Sequence, residues 1–547
     1  MMNFRRGPRV EPRDRNGRPP AWFSPRLRFT SARLIAYFSR SPVQIALVVS
    51  LAALLAPIWL TPYPPLTDYP NHLSRIHILE HLNDDPLFQE KFNRLSILFP
   101  NMAMEMVMPL FAGTVGVEIA GKLFLTLAVL MFALGCGLIS TALRGTLTWS
   151  AVLSTFLIYN SNFFMGFANY IFGLGLYSAV FGWRLTWEDR VTPRRAIALF
   201  PLAFFCYACH LTSFVFLAFS LGVHWIYKVY RRDGFNIKRA AWVFPALAPP
   251  VAAHLLLDRH AGDSGMVAWG AVSTKVVTFF GWLITYDYAL DALFAAWLVA
   301  AVLLATRGGG VRFDGLACSL AAAFWLAFIL SPEVLLGSWA ADARLVVPSM
   351  VFSIFAIRPK PPKRLASALL TITLVALLGR VALVGRAWSQ GSELIAEQIE
   401  IFELIEARST VYPMYWLSGD RQTDKRERGI EHAASYAAIE RGAFVPNTFA
   451  IDGQHVLVFR NQSDQLSHKA VRYFTAEDWE RLFTETAIDY AWTWRAPDGA
   501  RKQVEAWCDL VVARGQGRLY RARRVSAAGR SADLHGRQRA SSPRLSR

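Results

Sequence analysis

Apolar runs near the length that crosses a bilayer as helix, about 18 to 20 residues, recur along this chain from residue 43 to residue 386. So many runs exceed what water-soluble domains of ordinary size can bury. With 54% hydrophobic and only 18% charged residues, the chain reads as an α-helical polytopic membrane protein. A soluble enzyme, a fibre and a disordered chain are excluded.

Taken in order, the runs predict spans at 43–62, 119–141, 149–160, 163–184, 196–209, 211–229, 240–257, 289–306, 313–330, 345–357 and 365–386, about eleven in all. Several are short, which implies tilted or broken helices. The runs 101–117 and 271–285 are read as juxtamembrane or re-entrant pieces. The net charge of +18 would suit a nucleic-acid partner if it formed one surface. Instead it alternates with the spans. Residues 1–42 carry ten arginines, and with the connections around Arg144, Arg184–Arg195, Lys228–Arg239, Arg307–Arg312 and Arg358–Arg364 that side holds 26 Lys and Arg. The opposite connections hold six, or nine with Lys122, Arg380 and Arg386. This is the positive-inside pattern, so the charge reports orientation and no nucleic acid is expected. The expectation is an integral inner (cytoplasmic) membrane protein with a cytoplasmic N-terminus and an extracytoplasmic C-terminus. The first span precedes Pro64 and Pro65 and no small-residue cleavage site, and reads as a retained anchor.

Four regions follow: a disordered basic arm (1–42), a membrane domain (43–386) with an extracytoplasmic loop at 63–118, an extracytoplasmic α/β domain (387–524) and a disordered basic tail (525–547). In the α/β domain, a helical pattern over 391–407 leads to the strand-like STVYPMYWL, a helix at HAASYAAIERG and the strand HVLVFRN. A helix at AEDWERLFTET, the strand IDYAWTW, the segment KQVEAWC and a turn-bearing C-terminal stretch complete the alternation. Of the five cysteines only Cys508 lies outside the apolar region, so no disulfide framework is available there. Cys206 and Cys209 are C-x-x-C in spacing but sit inside a span without a second pair.

Ionisable groups beside spans mark either a site or a solvated helix end. The loop LTDYPNHLSRIHILEHLNDDP places Asp68, His72, Arg75, His77, Glu80, His81, Asp84 and Asp85 within eighteen residues. Pro70 predicts a helix start, with Asn71 and Arg75 on one face. Asp68 then has two readings. It caps that helix, or it serves as a general base or cation ligand facing a bound acceptor, with His72 and Arg75 meeting phosphate or acceptor groups. Asp84 and Asp85 read as a solvated face. The turn YNSNFFMGFANY supplies Asn160, Asn162 and Asn169, and CYACHLTS supplies His210; each reads as a pocket residue or as a helix-end and helix–helix hydrogen-bonding group. Asp258, Arg259, His260, Asp287 and Asp291 read as loop charge. SPEVLLGSWAADARLVVP supplies Glu333, Asp342 and Arg344. Arg344 lies against the charge bias, and either pairs with Asp342 or Glu333 or holds an anionic headgroup in its planar fork.

The acid in LTDYPNHL, the many spans, the cytoplasmic N-terminus and the C-terminal extracytoplasmic domain together resemble the GT-C superfamily of integral membrane glycosyltransferases. The resemblance covers architecture and not a long motif. It implies transfer of a sugar from a polyprenyl-linked donor to an acceptor at the extracytoplasmic face, with Asp68 at the reaction centre. DARLVVP is similar to a late-loop segment of such enzymes, which implies Arg344 for the donor phosphate. The paired first-loop acids common in the superfamily are not matched at Asp68, so no metal is assigned, although a divalent cation is compatible. Membrane lipid, the lipid-linked donor and an unspecified acceptor are the expected partners. The alternatives are a transporter or flippase of a lipid-linked or anionic substrate, which requires repeat symmetry and mid-bilayer charge, and a non-enzymatic envelope-assembly scaffold.

Overall fold

The computed structural model describes residues 41–96, 99–188, 191–231, 243–257, 266–306, 311–335, 337–359, 362–416, 418–419, 425–461 and 474–523. The basic arm up to residue 40, the basic tail and the turn carrying Asp258, Arg259 and His260 lie outside the described residues.

Prolines and small polar residues set the helix boundaries. Pro42 opens α1 (Pro42–Leu60), and its preset φ suits a first helical turn. The helix ends where the Thr61 N–H and hydroxyl both donate to the Pro57 carbonyl, at 3.3 and 2.7 Å. Pro70 stands in the first turn of α2 (Tyr69–His81), as its position predicts. The chain continues through α3 (Val117–Arg144), which stops at Gly145 in left-handed backbone, then α4 (Ala168–Thr186), α5 (Pro193–Cys209) and α6 (Leu211–Tyr230). Next come α7 (Tyr288–Thr306), α8 (Gly315–Leu330), capped by Asp314, α9 (Ala343–Ala356), capped by Asp342, and α10 (Lys363–Phe402).

Among the described residues four helices, α1, α3, α6 and α10, are long and apolar enough to cross a membrane on their own. Apolar but shorter helices form at Phe244–Leu256, within α7, and as α8 and α9. Every expected span has a helical counterpart, but 149–160 departs from a regular one. It forms a six-residue helix, Trp149–Ser154, and a 3-10 turn, Thr155–Leu157, too short for a straight crossing at 1.5 Å per residue. It nonetheless joins both ends of the bundle. Arg144, just before it, bonds Asp314 near the C-terminal end of α9, while Asn162, just after it, bonds the carbonyl of Ala343 at the start of α9. The runs 101–117 and 271–285 form short helices, Ala103–Val107, Pro109–Val115 and Val272–Phe279.

Strand β1 (Phe92–Arg94) belongs to the first long loop. A second short pair, β2 (Val311–Phe313) with β3 (Ile357–Pro359), lies beside the Asp314 end. After α10 come β4 (Val411–Tyr415), β5 (Leu457–Phe459), β6 (Tyr490–Trp494), β7 (Cys508–Arg514) and β8 (Gly517–Ala522). β5 pairs antiparallel with β1, and the other four form a sheet in the order β4-β6-β8-β7, with β4 and β6 parallel. The helices expected at AEDWERLFTET and HAASYAAIERG form as Ala476–Glu485 and Tyr436–Arg441.

The boundary drawn at 386–387 falls inside α10. Past it the helix turns amphipathic and buries Trp388, Ile395, Ile399 and Phe402, and neither Gly nor Pro stops it before Phe402. Phe402 packs on Trp492 at 5.7 Å between ring centroids, and the Trp492 indole donates to Gln398 at 3.1 Å. The sheet is therefore built on the end of a membrane helix, and one apolar core runs from Leu54 in α1 to Leu519 in β8.

Candidate active site

The residues between α1 and α2 are held by a turn from elsewhere in the chain. The N–H groups of Thr67 and Asp68 donate to the carbonyls of Phe164 and Met165 at 3.1 and 3.0 Å. Gly166 follows with φ of 80°, and a Cβ there would stand 2.8 Å from the Asp68 nitrogen, so only glycine admits this approach.

 At φ 80° its backbone also lies where L side chains are strained.

Asp68 consequently occupies the N-cap position of α2, but its carboxylate makes no capping hydrogen bond. The capping reading is therefore not realised. The Asp68 side chain is 17% exposed. Burial pushes its carboxyl up to about 8, with the charge of Glu431 adding to the rise and Arg344 and Arg75 opposing it.

Arg344 stands in the first turn of α9. Its guanidinium lies 5.2 Å from the centroid of Phe167, one Nη donates to the Ser338 hydroxyl at 2.9 Å, and Nε is buried without a hydrogen-bond partner. Neither expected acid bonds to it among the described residues. Asp342 pairs with Lys275 at 2.9 Å, and Glu333 accepts from the Trp339 indole at 3.0 Å. A second guanidinium, Arg428, lies 5.5 Å from Phe164, in the same turn, and 6.0 Å from Tyr286. The sequence reading missed Arg428, because KRERG looks like a solvated charge run.

The remaining candidates divide. Arg75 is fully buried and pairs with Glu105 at 2.5 Å, so it faces the protein and not an open site. His72 is also buried, its ring edge-on to Phe449 at 5.5 Å, and burial holds its imidazole well below the usual range. Asn160 accepts from the Phe163 N–H and donates to the carbonyls of Leu157 and Ile158, while Asn169 ties Met104 and Asn101 to α4. The His210 Nδ1 accepts from the Thr212 N–H at 3.1 Å. These three take the helix-end reading. Asn162 reaches the carbonyl of Ala343, beside Arg344, and so joins the Asp68 turn to α9.

Two further residues complete the surroundings of Asp68. His432 brings Nε2 to 3.7 Å from Oδ1 of Asp68, and its Nδ1 lies 3.1 Å from the Asn71 amide nitrogen. The segment bearing His432 fits because Gly429 packs on Pro65, where a Cβ would meet the Pro65 Cα at 3.0 Å. Among the described residues no three His, Cys, Asp or Glu side chains form a group suited to a cation, and Cys206 and Cys209 are buried free thiols.

No protein-family model matches this sequence, and no curated protein does. Among solved structures the chain is similar to ArnT from Cupriavidus metallidurans bound to undecaprenyl phosphate, at 14% identity and a TM-score of 0.48, over 91% of this chain and 99% of that one. The apo state of the same protein is similar at 14% identity and a TM-score of 0.48, over 90% and 98% of the two chains.

Proposed function

We propose that this protein is a membrane glycosyltransferase that moves a sugar from a polyprenyl-linked donor to an acceptor at the extracytoplasmic face. The observation that carries this reading is a carboxylate freed from capping at the membrane-proximal start of α2, with Arg344, which no carboxylate bonds among the described residues, acting on it through space. In the reaction, the Asp68 carboxylate takes the proton of an acceptor hydroxyl as its oxygen bonds to the anomeric carbon. The bond from that carbon to the donor phosphate breaks, and its electron pair leaves on the phosphate oxygen. Arg344 neutralises that developing charge through its planar fork. Residues after 386 would contact the acceptor or cover the site.

The test is transfer of labelled sugar from a panel of polyprenyl-linked donors by the protein in lipid nanodiscs. Asp68→Asn is expected to lower kcat by about 10² to 10⁴-fold, the usual worth of a general base. Arg344→Ala is expected to lower kcat/KM by at least about tenfold while the protein stays folded. Full transfer by Asp68→Asn would sink the assignment of the base, and no transfer by the parent protein across a broad panel would sink the function itself.

A further inference from the structure

Asn71 fixes the chemistry of His432. Its Oδ1 accepts from the Phe449 N–H at 3.0 Å and its Nδ2 donates to the Asn447 carbonyl at 2.9 Å, so the reversed amide would set donor against donor and acceptor against acceptor. With the amide so oriented, Nδ2 also donates to His432 Nδ1. A neutral imidazole that accepts at Nδ1 carries its proton on Nε2, the atom that faces Asp68. The ring itself is held edge-on against Phe449, with centroids 5.3 Å apart.

We propose that His432 is a positioning residue for Asp68, its Nε2–H donating to one carboxylate oxygen and leaving the other to receive the acceptor's proton. The inference rests on the reading of Asp68 as the base. At 3.7 Å the contact is longer than a hydrogen bond, and such contacts tighten when substrate is bound. Burial keeps the His432 imidazole below its usual range and hence neutral, against the opposing charge of Glu431. The other charged groups acting on Asp68 are Glu431, Arg344 and Arg75, none of which supplies an N–H contact to its carboxylate among the described residues. The arrangement joins parts of the chain 361 residues apart, so the module beyond α10 would set the geometry of a base carried on the first loop.

Two substitutions separate positioning from packing. His432→Phe keeps a ring against Phe449 and removes the donor, whereas His432→Gln places an amide N–H near the Nε2 position. The full chain in nanodiscs is titrated by infrared difference spectroscopy, with Asp68→Asn identifying the Asp68 carboxyl band, and kcat and KM are measured across pH. Loss of a hydrogen bond to the ionised form raises a carboxyl pKa, so His432→Phe is expected to raise the Asp68 midpoint by about one pH unit. It should also lower kcat about tenfold or more at neutral pH with donor KM unchanged, while His432→Gln stays near the parent in both readouts. An unmoved midpoint in His432→Phe, or an equal loss in His432→Gln, overturns the inference and leaves the proposed function standing. A midpoint raised by His432→Phe, where the parent protein transfers no sugar, keeps the contact and removes the function.

Discussion

A carboxyl that titrates near 8 is mostly protonated at neutral pH, so the Asp68 base form grows as pH rises. The sign follows directly: below this pKa, kcat/KM is expected to fall about tenfold per pH unit, and above it to level off. Arg344 lowers the carboxyl pKa, so Arg344→Ala should move that limb to higher pH. A pH profile of kcat/KM for both proteins checks this, and an acidic limb near the ordinary carboxyl range, about 4, would rule out a buried base. Asp68 was legible in the sequence because it lies between the end of a span and Pro70, both local signals. His432 was not. No spacing rule links it to Asp68, and its contact depends on Asn71 meeting residues 447 and 449, which only the folded chain brings together. Arg75 misled for the complementary reason: a charge in a loop looks solvent-facing until its partner Glu105, thirty residues on, is in place.

Helices and strands were readable wherever their signal is local, as at α1, α2, α6 and the hairpin of β7 and β8. The end of α10 was not, because an apolar span passing into an amphipathic helix changes its side chains without changing its backbone. The sheet order β4-β6-β8-β7 was likewise hidden, since it pairs strands distant in sequence. The least regular element, the turn through Gly166, carries the most consequence, because it supplies both carbonyls that hold residues 67 and 68. Gly166→Ala would place a side chain on left-handed backbone and a Cβ 2.8 Å from the Asp68 nitrogen. The expected loss is about 2 kcal/mol of stability, with reduced transfer in the protein that remains folded. Gly113→Ala is the matched control, because a Cβ there has nothing within 4 Å. Equal melting temperatures for the two variants would show that the close approach at Asp68 is not required.

Across the whole molecule, the two ends of the helical bundle hold charge for different purposes. At the Asp68 end, Arg344 keeps a buried, unpartnered Nε and no carboxylate pairs with it among the described residues. At the far end of α9, Asp314 sits between two guanidiniums, bonded to Arg144 at 2.8 Å and to Arg358, and its carboxylate also accepts from the Ala317 N–H to cap α8. One acid thus joins the ends of α3, α8 and α9. That junction agrees with the alternation of spans, which puts those three ends on one side. Asp314→Asn keeps a good helix cap and removes the charge that separates two arginines. Breaking a buried pair costs about 3 to 5 kcal/mol, but Arg358 is 41% exposed and water screens it, so about 2 to 3 kcal/mol is expected here. The melting temperature should fall, while kcat/KM per folded molecule stays within about twofold, since α9, at about 1.5 Å per residue over its 14 residues, holds the two ends some 21 Å apart. Asp68→Asn should do the reverse, removing transfer without lowering the melting temperature, because it replaces a partly buried acid that makes no cap. Thermal unfolding and transfer assays on the same preparations decide it, and an Asp314→Asn protein that melts normally yet loses transfer would show that the far end acts on the site and does not merely support it.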